Sequence, residues 1–336
     1  MNQKISTAWG KIARLLKGEL GLALILTVLC IVFANVSPYF WVERNLLNIT
    51  RQVSIVMTVA MGMLCVVLSG EIDLSVGSTA ALSGVAAAWV MRQSGSIALG
   101  VGAALLIGLA VGWLNGTLVV YGRIPSFIVT LATMGILRGV CMVWTNGKPI
   151  SNLPQAFATM GAGYVLEIIP VATVISLALV LLFYVLLQRT KHGTYIKAIG
   201  ANREAAKLSA IPIQRYKVLV FVACSLMCAM GGLITTSKLL SAQPTACTGL
   251  EMDVLSGVIL GGASLSGGVG TVTGTLLGGM IIGVINNGLN LLNVNSYYQD
   301  IVKGIIIILA VMILAAVCIL GPYYHWRKQE KENTQE

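Results

Sequence analysis

Two short acid pairs stand out against an apolar background. Glu71 and Asp73 sit in the polar knot that runs from Ser69 to Ser78, and Glu251 and Asp253 show the same one-residue spacing. Charge inside a membrane-crossing run is costly and points to function. Both pairs, however, lie at breaks between such runs, where water has access. Each is placed to cap the helix that follows it: Asp73 is followed by Ser75, and Asp253 precedes an apolar run. This structural role is favoured over direct contact with a substrate.

The second set is made of amides. Asn115, Asn286, Asn287 and Asn290 lie within apolar segments. Such groups bond sugar hydroxyls or bond across a helix pair, and packing has a slight advantage. Arg138 is a cation within an apolar run and has no partner nearby in sequence. It lines a cavity or reaches to an interface, and the sequence does not choose between these. Asp300 and Lys303, three apart, suit a local ion pair. No Gly-x-x-x-x-Gly-Lys-Ser/Thr loop occurs, so nucleotide use would require another chain. The seven Cys fall mostly in apolar runs without CxxC spacing, and His192 and His325 have no metal-ligand companions. No nucleophile with its base is recognisable. The chain reads as neither an enzyme nor a holder of metal or cofactor.

The elements that position these groups follow from composition. Of 336 residues, 57% are hydrophobic and 10% charged. Several apolar runs exceed the roughly 18 residues that suggest a transmembrane helix. The expected architecture is an all-α membrane protein in a single domain over residues 1–336. Ten crossings are expected, near 20–36, 53–68, 76–91, 97–120, 127–144, 171–187, 218–236, 254–262, 271–292 and 301–320. The eighth is the weakest, because Gly261, Gly262, Gly267, Gly268 and Gly270 break it early. Gly108, Gly112 and Gly116, and likewise Gly270, Gly274 and Gly278, form stripes for close helix contact.

Charge orients this set. With the N-terminus inside, fifteen of the 22 Lys and Arg fall on the inner side, including Lys4, Lys11, Arg14 and Lys17 at the start and Arg327, Lys328 and Lys331 at the end. Five fall outside: Arg44, Arg51, Arg92, Lys148 and Lys238. That bias has the sign expected of a multi-pass protein with cytoplasmic termini. The net charge of +10 is therefore membrane topology rather than nucleic-acid binding.

The chain also echoes itself. Glu71-Ile72-Asp73 returns as Glu251-Met252-Asp253, Asn115-Gly116 as Asn287-Gly288, and Ser126-Phe127 as Ser296-Tyr297. Two halves of about five helices each follow, parted by the polar stretch, with six of the expected crossings over about 20–187 and four over 218–320. Five is odd, so the halves would be inverted in the membrane with a pathway at their interface.

Between the halves runs the longest polar stretch, 188–217, with seven Lys and Arg against one acid, Glu204. Its centre reads as a short helix. Asn202 is the N-cap, Glu204 suits the first turn and Lys207 the last, and Pro212 stops it by Ile211. Two turns are too short to stand alone in water. The stretch is a docking helix on the cytoplasmic side or a solvated basic loop.

With these residues in view, the chain resembles the permease subunits of bacterial sugar ABC importers of the ribose/xylose type, in the family that includes branched-chain amino acid permeases. The matching stretches include Ser69–Ser78, Ile124–Gly139, Ala198–Ile211, Ser241–Gly249 and Asn286–Lys303. The resemblance covers about residues 45 to 315, and Ser241–Ala246 followed by Asn286–Leu292 looks most like ribose permeases. It implies a separate ATPase subunit, a periplasmic sugar-binding protein and a second permease, as a dimer in the inner membrane. It makes Asn202, Arg203, Glu204, Ala205, Ala206, Lys207 and Leu208 the segment that docks on the ATPase. Asn115, Phe127, Thr130, Asn286, Asn287 and Asn290 are the candidate translocation path. Two positions depart from the family pattern, Ala201 and Ala210, where glycine is usual. Either is strained if its backbone needs a positive φ. The rival readings are an ion-driven secondary transporter, with the acids as cation sites, and a non-transporting scaffold.

Overall fold

A computed structural model describes residues 18–295, 298–302, 304, 305 and 308. The basic N-terminal cluster, the Ser296-Tyr297 echo, Lys303, Cys318, His325 and the C-terminal cations lie outside the described residues. So does most of the tenth expected crossing. The chain divides into two units, Met1–Leu292 and Asn293–Glu336. In the second, the described part is helical turn, opened by the Tyr298 N–H donating to the Asn295 carbonyl at 2.9 Å.

The described part of the first unit is mostly helical. In order it contains α1 (Glu19–Val36), α2 (Glu43–Leu68), α3 (Val76–Ser94), α4 (Ile97–Val120) and α5 (Ser126–Thr145). A short α6 (Ala158–Ala162) and a two-stranded antiparallel ribbon, β1 (Tyr164–Val165) and β2 (Ile169–Pro170), follow. Then come α7 (Val171–Arg189), α8 (Lys191–Ala201), α9 (Arg203–Leu208), α10 (Ile213–Leu239), α11 (Leu250–Leu260) and α12 (Val272–Leu291). Seven of these, α1, α2, α4, α5, α7, α10 and α12, are long and apolar enough to cross a membrane. This is a multi-pass membrane protein.

The core is built on α2, where every residue from Val56 to Leu68 is buried. The α10 helix packs along it so closely that a methyl group on Gly62 would stand 2.6 Å from the Cys224 Cα. The α4 glycine stripe does the same on α10: a Cβ on Gly112 would lie 2.5 Å from the Val222 Cα, and one on Gly108 2.7 Å from the Ser225 carbonyl. Small residues let backbones approach where lipid supplies no hydrophobic drive between helices. Rich in Ala, Gly and Ser, α3 is buried over most of its length between α4 and α10.

Two expectations change. The second helix begins ten residues before the expected start, so Arg44 and Arg51 are on helix rather than in a loop. The Arg51 guanidinium donates to the Ala162 carbonyl at 3.0 Å and lies 4.5 Å from the centre of the Tyr164 ring, which holds the helix in register with the ribbon. The eighth expected crossing is only a partial one. The eleven residues of α11 rise about 16 Å at 1.5 Å each, against a hydrocarbon thickness of about 30 Å. It ends at Gly261, where the chain turns through Gly262, Gly267 and Gly268, all at positive φ.

Candidate functional site

The polar segment between α7 and α10 is two helices rather than one. Lys191–Ala201 forms α8, and Asn202 separates it from α9. Asn202 has extended backbone, and its side-chain oxygen accepts from the Ala205 N–H at 3.0 Å. Glu204 lies in the first turn of α9 and Lys207 in the last. Ala206 is buried, while Arg203, Glu204, Ala205 and Lys207 are exposed and Leu208 is 89% exposed. One face thus rests on the protein and the other presents two cations, an acid and a bare leucine.

The end of α9 explains one of the two departures. The Ile211 N–H donates to the Ala206 carbonyl at 3.1 Å and the Ala210 N–H to that of Lys207 at 3.0 Å. These are the two bonds of a Schellman closure, whose left-handed position is usually glycine. Ala210 occupies it at φ 56°. The strain is real at Ala210 and absent at Ala201, which lies in the last turn of α8.

The two breaks hold their acids differently. After α2, Asp73 is fully buried and its Oδ1 accepts from the Ser75 N–H at 2.8 Å and hydroxyl at 2.6 Å. The Ser75 hydroxyl oxygen in turn accepts from Asn115 Nδ2 at 3.0 Å, and the Thr133 hydroxyl donates to Asn115 Oδ1 at 2.8 Å. Three helices are pinned to one carboxylate in this way. At the second break, Glu251 and Asp253 lie in the first turn of α11 itself. Glu251 accepts from the Gly249 N–H at 3.3 Å, and Asp253 Oδ2 accepts from Asn286 Nδ2 at 3.0 Å. Glu71 forms an ion pair with Lys217, in the first turns of α10, and both side chains are largely buried.

The structure does not gather the candidate path residues into one cavity. Asn115 and Thr130 are fully buried, and Thr130 donates to the Ser126 carbonyl at 2.8 Å. Asn287 exchanges two hydrogen bonds with Asn45, at 2.9 and 3.1 Å, tying α12 to the start of α2. Asn286 serves Asp253, Asn290 is exposed, and Phe127, near the start of α5, is half exposed. Arg138 has a partner distant in sequence. Its guanidinium donates to the Pro244 and Ala246 carbonyls at 2.7 and 2.9 Å, clasping the loop between α10 and α11 to α5. These partners lie more than a hundred residues away along the chain, beyond the reach of any local pattern. Among the described residues no cluster of three or more His, Cys, Asp and Glu is placed to hold a metal ion.

A comparison with known families decides the class. Residues 45–311 match the branched-chain amino acid transport system / permease component. The chain belongs to that family. Among the permease's relatives, the ribose import permease protein RbsC of Escherichia coli K12 is 42% identical over 292 residues, covering 86% of this chain and 91% of the relative. Its Bacillus subtilis counterpart is 44% identical over 297 residues, covering 88% and 92%. The L-arabinose ABC transporter permease protein AraH of Azospirillum brasilense is 37% identical over 292 residues, covering 86% of each. No solved structure matches this permease.

Proposed function

We propose that this permease is the membrane-spanning subunit of an ATP-driven importer for a ribose-like pentose, working as a dimer in the bacterial inner membrane with both termini cytoplasmic. A periplasmic binding protein delivers the sugar, and a separate ATPase subunit docks on α9. The observation that carries this reading is identity above 40% over nine-tenths of relatives named for ribose import. Arabinose-named relatives stand lower, at 35–37%, which favours ribose over arabinose.

The mechanism is rocking of two inverted halves of five helices. Support comes from the way the elements pair. The 26 residues of α2 correspond to the 27 of α10, which begins 170 residues later (Glu43 to Ile213). The starts of α3 and α11 are 174 apart (Val76 to Leu250), and those of α4 and α12 are 175 apart (Ile97 to Val272). The packing repeats too. Both α3 and α4 lie on α10, as α11 and α12 lie on α2. In each half an acid near the start of one helix is linked to an amide on the next, Asp73–Ser75–Asn115 at α3 and α4 and Asp253–Asn286 at α11 and α12. On this reading the exposed face of α9 is the lever: ATP binding closes the ATPase pair, and the halves turn about the crossing of α2 and α10.

The test is uptake of radiolabelled ribose, xylose and arabinose in a deletion strain carrying this permease, its ATPase and its binding protein. Ribose uptake that stops when the ATPase is inactivated is expected. Uptake by the permease alone, driven by an ion gradient, overturns the reading. Glu204→Lys reverses the acid on the exposed face of α9 and is expected to leave the protein in the membrane while ATP hydrolysis no longer drives uptake.

A further inference from the structure

Where the motion of α8 and α9 enters the membrane body is readable from three backbone segments that meet without side chains between them. A Cβ on Gly200, near the end of α8, would run into the Leu68 carbonyl, and would stand 2.6 Å from the Gly268 nitrogen and 3.0 Å from the Gly267 Cα. From the other side, a Cβ on Gly267 would stand 2.8 Å from the Gly200 Cα and 2.9 Å from the Gly70 Cα. The Gly268 N–H donates to the Leu68 carbonyl at 2.9 Å. The end of α2, the end of α8 and the turn after α11 are therefore one knot. Directly beyond Gly70 comes Glu71, paired with Lys217 across 146 residues of sequence, at side-chain exposures of 14% and 12%.

We propose that the Glu71–Lys217 ion pair is a positioning pair for transport: it locks the break after α2 to the start of α10, so that displacement of α8 at the Gly200 knot moves the end of α2 and the start of α10 together. This rests on the coupling role of α9 given above. The geometry suits the task. Close-packed backbone does not absorb displacement as flexible side chains do. A push on α8 therefore reaches Gly70, at the head of the first break, and Gly267-Gly268, at the foot of α11. The ion pair closes the remaining side of the frame, because Lys217 stands just beyond α9 and Pro212 on the chain. Without it, the start of α10 follows the end of α2 only through packing deeper along the two helices, at Gly62 and Cys224. A largely buried pair resists separation, since either charge left alone is poorly solvated.

The experiment uses the full importer in proteoliposomes with its ATPase and binding protein, and reads ribose uptake and ATP hydrolysis in the same vesicles. Glu71→Gln and Lys217→Met each remove one charge, and the exchange Glu71→Lys with Lys217→Glu restores the pair with its sense reversed. For each single variant, hydrolysis continues and sugar moved per ATP falls about tenfold, a usual size for coupling between sites. The exchange recovers at least half of the wild-type ratio. Thermal unfolding of the purified complexes separates this from loss of fold, because a purely structural pair lowers Tm and scales uptake and hydrolysis down together. That proportional loss overturns the inference, as do single variants with a wild-type ratio or an exchange no better than the singles. Wild-type vesicles whose ribose uptake is indifferent to ATP would instead overturn the importer reading itself.

Discussion

Replacing Asn202 by alanine tests whether α9 works as an ordered element. The perturbation is small and local: the Asn202 Oδ1 bond to the Ala205 N–H, 3.0 Å long, is lost at an exposed site. Water takes over part of its role, so the expected cost is that of an N-cap, about 1 kcal/mol. For a long helix that is minor. This one has six residues, well below the roughly 12 needed for marginal stability in isolation. Beyond its cap it is held by buried Ala206 and by the strained Schellman closure at Ala210. A loss of about 1 kcal/mol lowers the ordered fraction relative to frayed forms roughly fivefold, if fraying already competes. The apparent affinity of the permease for its ATPase subunit should weaken by about the same factor, since a partner binding only the ordered form is penalised by its population. The assay is titration of detergent-solubilised permease with labelled ATPase subunit, with hydrogen exchange of the Ala205 and Ala206 amides read in parallel. Asn202→Asp keeps the acceptor and adds a charge suited to the helix N-terminus, so it should bind at least as well as wild type. An alanine variant with unchanged exchange and affinity, or an aspartate variant as weak as the alanine one, refutes the reasoning.

Ala210→Gly removes the cost of left-handed backbone, about 1 kcal/mol, and should slow exchange of the Ile211 amide and strengthen ATPase binding in the titration above. Arg138→Ala deletes two charge-assisted hydrogen bonds. At about 1.5–3 kcal/mol each, discounted for partial exposure, a loss near 2 kcal/mol is expected, measured as a lower Tm and faster protease cleavage between Ser241 and Gly249. Asn287→Leu leaves the buried Asn45 Oδ1 without its donor, while Asn45 Nδ2 keeps the Phe40 carbonyl, and should cost about 2 kcal/mol in unfolding experiments; adding Asn45→Leu should cost less than the sum of the two single changes.

What the sequence made legible follows the physics of each element. The expected bounds of the fourth helix, 97–120, coincide with α4 because an apolar run between polar ends is marked twice, by hydropathy and by its termini. The cap and stop of α9 were readable because capping is local: Asn202 and Pro212 act within four residues. The first ten residues of α2 were not, since Glu43–Gln52 are mostly polar and become helical through contacts with the ribbon and with Asn287. The shortness of α11 was hinted at by its glycines, but its fit to α2 and α12 belongs to tertiary packing. Arg138 and Glu71 show the same limit. Each was visible as a costly charge, and each finds its partner across more than a hundred residues, where one sequence carries no signal of proximity.

The stubby α11 bears on biogenesis. Eleven residues opening with two acids are a poor substrate for a translocon that sorts segments one at a time by greasiness, so this piece has little reason to leave the channel sideways unaided. It must be drawn in by surfaces already waiting, chiefly those of α2 and α3, and then be covered by α12 once synthesis has gone on. The permease is therefore expected to finish its assembly late, and nascent chains cut just after α10 should leave an unfilled slot on α2 that quality-control proteases recognise.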